Sequence, residues 1–146
     1  DFSYGEAMLS GQGIKGRLTG LGITGGLGLF AGSLILDPIR NLMQKYVLPK
    51  PGEGPSLQDQ LNGYFDLRLH GRNKKGQQLM VQVTGDRDPG YGSTAKMLAQ
   101  AGLCLAFDLA AEDKAGGFWT PATAMGDLLV ERLSEHAGMT FETYEK

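Results

Sequence analysis

Two runs of alternating residues, joined by a short polar connection, constrain this chain more than any other feature. From Tyr64 to His70, Phe65, Leu67 and Leu69 fall on one face and Asp66, Arg68 and His70 on the other. Arg72-Asn-Lys-Lys-Gly76 follows. Alternation then resumes from Gln78 to Thr84, with Leu79, Val81 and Val83 on the apolar face. Period-two patterning on both sides of a Gly-ended polar turn predicts an antiparallel hairpin. A hairpin with one apolar face has to pack that face against another layer.

The partner layer is expected from the residues that follow. A helix is predicted to start near Ser93 or Thr94, either of which can cap it. Between Met97 and Phe107 it is apolar almost all round, apart from a four-spaced stripe of Lys96, Gln100, Cys104 and Asp108. Such a helix is expected to be buried on most sides. Gly116-Gly117 break the chain. Thr120 then caps a second helix with Pro121 at its first position, where a missing N–H costs nothing. Its buried stripe is Ala122, Met125, Leu129 and Leu133, and Gly138 ends it. Residues 139–144 give a closing strand, and residues 2–9 read as a further short one. The predicted fold class is α+β: a small, mainly antiparallel or mixed sheet packed with helices, including a glycine-rich apolar helical segment.

That segment holds much of the glycine, of which the 146 residues contain 23. The glycines stand among Leu, Ile and Phe, unlike a flexible linker. Gly16, Gly20, Thr24, Gly28 and Gly32 recur every fourth residue, a small-residue ridge on a helix. Residues 18–36 carry no charge and would span roughly 28 Å as a helix. Six glycines there cost on the order of 5 kcal/mol in helix propensity, which close packing or an apolar solvent must offset. Three readings stay open: a packed helix or oligomer contact, which is preferred, membrane association, or an irregular loop. A short helix is expected over 39–46, from Ile39, Leu42, Met43 and Tyr46. One domain is expected over 1–146, with a glycine-rich helical part at 11–47, a linker at 48–62 and a hairpin-helix-helix-strand part at 63–146. Starting at Asp1 rather than Met, the chain is expected to begin inside a longer polypeptide or after a processed end.

Several functions are disfavoured by composition. A net charge of -2 with interspersed signs gives no nucleic-acid footprint. One cysteine, Cys104, forms no intrachain disulfide and no thiolate zinc site, and His70 and His136 lack ligand-like spacing, so no metal site is expected. A cytoplasmic setting is the expectation, with membrane association as the alternative. Dinucleotide-like patterns occur at Gly11-Gln-Gly13-Ile-Lys-Gly16 and Gly20-Leu-Gly22-Ile-Thr-Gly25, and Ala-ended variants begin at Gly26 and Gly90. None follows a convincing buried strand, which that chemistry requires, so no cofactor-binding residue is assigned.

The candidate site is the segment from Asp86 to Lys96, which runs from a strand end into a helix N-terminus. Backbone N–H groups and the helix dipole favour an anion there. Asp88, Tyr91, Ser93, Thr94 and Lys96 are the candidate substrate-binding residues. The competing and favoured reading gives Asp88-Pro-Gly the turn and Ser93 or Thr94 the cap. His70 is expected on a solvated face, His136 at a helix C-terminus, Cys104 in the packing and Trp119 at a helix entry. No catalytic arrangement of Ser, His, Asp or paired carboxylates stands out.

Leu48-Pro-Lys-Pro-Gly-Glu-Gly-Pro-Ser56, Asp88-Pro-Gly-Tyr-Gly-Ser-Thr-Ala-Lys-Met-Leu98 and Gly117-Phe-Trp-Thr-Pro-Ala-Thr-Ala-Met-Gly126 together resemble the C-terminal half of saccharopine-dehydrogenase-like proteins. The resemblance is nearest to the branch with the trans-acting enoyl reductases. It implies a parent NAD(P)-dependent oxidoreductase with an upstream Rossmann domain and a homodimeric assembly. On that reading this chain is the substrate-side and dimer-contact part, inactive alone. No catalytic residue is carried over. The alternative function is a membrane or lipid-surface module built on the glycine-rich segment.

Overall fold

The computed structural model describes residues 2–50, 52–110 and 115–145. The chain divides into two compact units, Asp1–Gly54 and Pro55–Lys146, with the boundary inside the stretch read as a linker.

In the first unit, α1 spans Gly13–Ser33 and α2 spans Asp37–Tyr46. Their axes bend by 112° at the break between them. Pro38 sits in the first turn of α2, where its missing N–H is harmless, and Asp37 there favours the positive helix end. The helix therefore begins two residues before the expected Ile39. Residues 2–9 form no strand, contrary to expectation. Their alternation is real, but among the described residues no strand pairs with them, and Phe2, Tyr4 and Met8 are exposed. An isolated strand leaves its backbone groups to water.

In the second unit, α3 (Leu57–Asn62) lies inside the predicted linker. Ser56 caps it, accepting from the Asp59 N–H at 3.1 Å, a local signal sufficient for one and a half turns. The expected hairpin follows as β1 (Phe65–Arg72) and β2 (Gln78–Gly85), with Leu67 opposite Val83 and Leu69 opposite Val81. Gly76 takes a positive φ of 84° at the end of the connection. Then come α4 (Gly92–Leu103), a π-helical turn (Cys104–Asp108), α5 (Pro121–His136) and β3 (Met139–Glu145). β3 pairs antiparallel with β2, giving a three-stranded sheet of order β1-β2-β3. The α+β class and the antiparallel sheet are as expected from sequence.

Cys104, Met125, Leu129, Leu133, Ala137 and Met139 are buried, with Phe65, Val83, Met97, Ala101 and Phe141 packed around them. Three expectations about packing fail here. Only the Phe65–Val83 end of the sheet's apolar face is covered, and Leu67, Leu69 and Leu79 remain exposed. Ala122 is exposed and Ala124 packs instead. Gly126, at φ 51° and ψ -129°, breaks the helical phase and rotates the first turn relative to the rest. The third reversal concerns α4. Expected to be buried on most sides, it packs on the core only through Met97, Ala101 and fully buried Cys104, with Gln100 part-buried beside them, whereas Leu98 and Phe107 are 73% and 75% exposed. No described element covers that apolar side.

Leu133 is among the most enclosed aliphatic side chains. Leu133→Ala should therefore destabilise the second unit by about 2–5 kcal/mol through lost burial and a residual cavity. Exposed Leu98→Ala should change stability by about 0.5 kcal/mol or less. Chemical denaturation followed by circular dichroism measures both.

Candidate functional site

The segment from Asp86 to Lys96 forms one hydrogen-bonded turn between the end of β2 and α4, and Asp88 is its centre. Oδ1 of Asp88 accepts from the Gly90 N–H at 2.9 Å, and Oδ2 accepts from the Tyr91 N–H at 3.2 Å and the Gly92 N–H at 2.7 Å. The Tyr91 and Gly92 N–H groups are donors at the start of α4 with no helical partner of their own. The Gly92 bond holds the Asp88 carboxyl below the usual carboxylate range. Desolvation opposes that shift, and the Gly90 and Tyr91 N–H groups add to it. The anion that this helix start attracts is thus its own Asp88.

Asp88 therefore replaces Ser93 and Thr94 as the cap, a correction to the sequence reading. The Ser93 hydroxyl donates to the Arg87 carbonyl at 3.0 Å and the Thr94 hydroxyl to the Pro89 carbonyl at 2.6 Å. Both sit inside α4, facing back along the chain, so their oxygens do not lie in front of the first N–H groups. Lys96 pairs with Asp86, whose carboxyl is lowered chiefly by that hydrogen bond. Tyr91 differs from the other four candidates. Its side chain is exposed, and only its backbone N–H is engaged with Asp88.

The turn is buttressed from α3. The Asp88 N–H donates to the Gln60 carbonyl at 3.1 Å, and the Arg87 guanidinium donates to the Leu61 carbonyl at 3.1 Å. Gly63 permits this approach, since a Cβ there would lie 2.5 Å from Asp88 Cα. On the far side, a Cβ at Gly138 would run into the Asp86 carboxylate, and Gly138 also needs its positive φ of 66°. Glycines 63 and 138, from opposite ends of the unit, thus shape the turn.

A second polar cluster escaped the sequence reading. Arg132 on α5 forms a two-pronged ion pair with Asp108 and donates to the Gln100 side chain at 3.0 Å. The π-turn, closed by the Leu109 N–H on the Cys104 carbonyl at 3.1 Å, aims Asp108 at Arg132. Arg132 lowers the Asp108 carboxyl, while burial, with the Asp108 charge adding, pushes the Cys104 thiol up. A raised thiol pKa disfavours the reactive thiolate, so Cys104 acts as packing. A shallow cleft of about 250 Å³ lies beside the pair, between Asp108, Leu128, Glu131, Arg132, Glu135 and His136. The four-residue spacing of Gln100, Cys104 and Asp108 was the available signal, but its partner on α5 lies far along the chain.

The remaining polar and aromatic residues take local roles. His70 is exposed on β1, His136 occupies the last turn of α5, and the Trp119 indole donates to the Ala115 carbonyl at 2.9 Å. Around Gly11, Gly13 and Gly16 the chain enters α1 without the preceding strand that a dinucleotide site requires. Among the described residues, no group of three or more His, Cys, Asp or Glu side chains could hold a metal ion.

The depressed Asp88 carboxyl predicts a pH signature. Its contribution to stability is fully present above the unfolded carboxyl pKa of about 3.9 and is lost as pH falls through the lower folded value. Asp88→Ala should lower the melting temperature at pH 7. The gap to wild type should shrink steadily below about pH 4 as the wild-type carboxylate protonates. Thermal melts from pH 2 to 7 check this; a constant gap would mean the carboxylate charge is not what caps α4.

No protein-family model and no solved structure matches this chain. Among curated proteins it is 35% identical to a protein of Mycobacterium tuberculosis whose name places it with the trans-acting enoyl reductases, over 97% of this chain and 34% of that protein. It is 33% identical to the trans-acting enoyl reductase of Mycobacterium bovis, over 90% of this chain and 32% of the relative. The trans-acting enoyl reductase of Mycobacterium ulcerans is 30% identical over 92% of this chain and 32% of its own length. The chain thus spans about a third of the length of the curated relatives it matches, and these are oxidoreductases by name.

Proposed function

We propose that this chain is the C-terminal, non-nucleotide-binding part of an NAD(P)-dependent enoyl reductase of the saccharopine-dehydrogenase-like type, supplying substrate-side surface and contacts between subunits. The observation that carries the reading is the mismatch of coverage: similarity runs through 97% of this chain but only 34% of the relative. In this reading the nicotinamide cofactor is held by an upstream Rossmann domain. Exposed apolar residues on α4 and on the sheet, Leu98, Phe107, Leu67 and Leu69, suit a piece whose neighbours complete it.

Within such an enzyme, the part of this chain best suited to meet substrate is the Asp88 turn. Its backbone is fixed by Asp88 and by α3, which gives the rigidity a binding residue needs. Tyr91 presents a side chain from that fixed base without contributing to it. Asp88, Ser93, Thr94 and Lys96 hold the turn, and Tyr91 is the residue proposed to touch the ligand.

Two measurements test the proposal. Calorimetric titration of this chain alone with NADH or NADPH should show no binding at micromolar cofactor, whereas the full-length protein binds; micromolar binding by the chain itself would overturn the assignment. In the full-length protein, Tyr91→Phe should lower enoyl reduction by about two- to tenfold, the scale of one lost hydrogen bond, with an unchanged melting temperature. Wild-type kinetics for Tyr91→Phe and Tyr91→Ala would leave the turn purely structural.

A further inference from the structure

The first unit holds features that the reductase reading does not use. No single described helix is long and apolar enough to cross a membrane. Even so, α1 leaves large apolar side chains exposed on two opposite sides. At 100° per residue, Ile14, Leu18, Leu21 and Leu29 fall on one side, and Ile23, Leu27 and Phe30 fall on the opposite side. All seven are exposed, Leu29 by 79% and Leu27 by 63%. A second helix packed along α1 would cover one of these sides and leave the other in water. A fluid apolar medium covers both.

Amphipathic α2 follows directly. Ile39, Leu42, Met43 and Tyr46 share one face, while Arg40, Gln44 and Lys45 take the other. The apolar face is not closed over by the chain, with Leu42 and Tyr46 exposed. Lys45 Nζ lies 5.0 Å from the centre of the Tyr46 ring, placing a cation and an amphipathic ring side by side. That pairing suits the depth at which headgroups meet acyl chains.

Charge selects the kind of surface. Residues 7–50 contain five bases, Lys15, Arg17, Arg40, Lys45 and Lys50, and one acid, Asp37. Asp37 is paired with Arg40 at 2.5 Å. The bases flank the uncharged stretch at both ends, although the chain as a whole carries -2. The 112° bend between the helices lets α1 enter a leaflet while α2 stays in its plane.

We infer that the first unit docks on an anionic lipid bilayer, with α1 inserted among acyl chains and the apolar face of α2 seated at headgroup level. The competing occupant is a second copy of this chain along the glycine ridge. Gly11 and Ser10 close against the start of that ridge at Gly16 and Gly20, whereas Gly28 and Gly32 have open space where a Cβ would stand, so a second copy would have to pack along the later half.

Flotation of the full-length protein with vesicles separates the two, run beside sedimentation velocity without lipid. The probes are vesicles of phosphatidylglycerol with phosphatidylcholine, and of phosphatidylcholine alone. Binding should be at least about tenfold tighter on the anionic vesicles and should weaken with salt. Reversal of two exposed bases, Lys45→Glu with Lys50→Glu, should weaken it by about 25-fold or more, at about fivefold per lost base. Leu27→Asp with Leu29→Asp should abolish it, while Gly28→Leu should retain or strengthen it. Equal binding to both vesicle types would overturn the anionic assignment. Absence of vesicle binding, with an oligomer that Gly28→Leu dissociates, would overturn the proposal in favour of a second copy. The charge-reversed variant keeps the test valid if the aspartate variant fails to fold, because Lys45 and Lys50 make no packing contact in the core.

Discussion

A helix that starts at a chain reversal presents several N–H groups with no partner, and the Asp88 carboxylate satisfies two of them, at Tyr91 and Gly92, together with the Gly90 N–H of the turn before it. Much of the second unit follows from that arrangement. With the start of α4 fixed, Ser93 is placed to bond the Arg87 carbonyl and Lys96 to reach Asp86 at the end of β2. Three turns later Cys104 arrives at the centre of the core. The Asp88 backbone is held in turn by Gln60 of α3, so the short helix inside the connecting stretch belongs to the same construction.

The elements legible in the sequence are those decided by neighbours along the chain. The hairpin is set by alternation and a Gly-ended turn. The start of α5 is set by Thr120 and Pro121, and its end by Gly138. Each signal lies within a few residues of the structure it specifies. What the sequence hid depends on distant partners. Ser93, Thr94 and Asp88 are all plausible caps by residue type. Only the route of the backbone through Pro89 and Gly90 places Asp88 in front of the free N–H groups. The candidate site was likewise legible as a location, because a strand end, a turn and a helix start are local features. The separate roles of its five side chains were not.

The reversal on α4 has a plain physical cause. Sequence reading assigns polar residues to solvent and apolar ones to the core. Here part-buried Gln100 lies toward α5 because Arg132 satisfies it, while exposed Asp108 holds the same guanidinium from the rim, and a satisfied polar contact can face the packed side. The apolar residues Leu98, Leu105 and Phe107 then point outward.

The same logic bears on where chemistry can reside. Of the two polar clusters, Arg132–Asp108–Gln100 is closed on itself: the guanidinium has its acceptors and the carboxylate its donors. Neither group is left to bind a ligand without breaking the α4–α5 contact. The Asp88 turn is equally closed among its hydrogen-bonding groups, but it carries Tyr91 outward on a backbone that cannot easily shift. A rigid frame presenting one exposed side chain is the kind of arrangement the proposed substrate-side role requires of this turn. That role suits a chain matching only about a third of each relative's length.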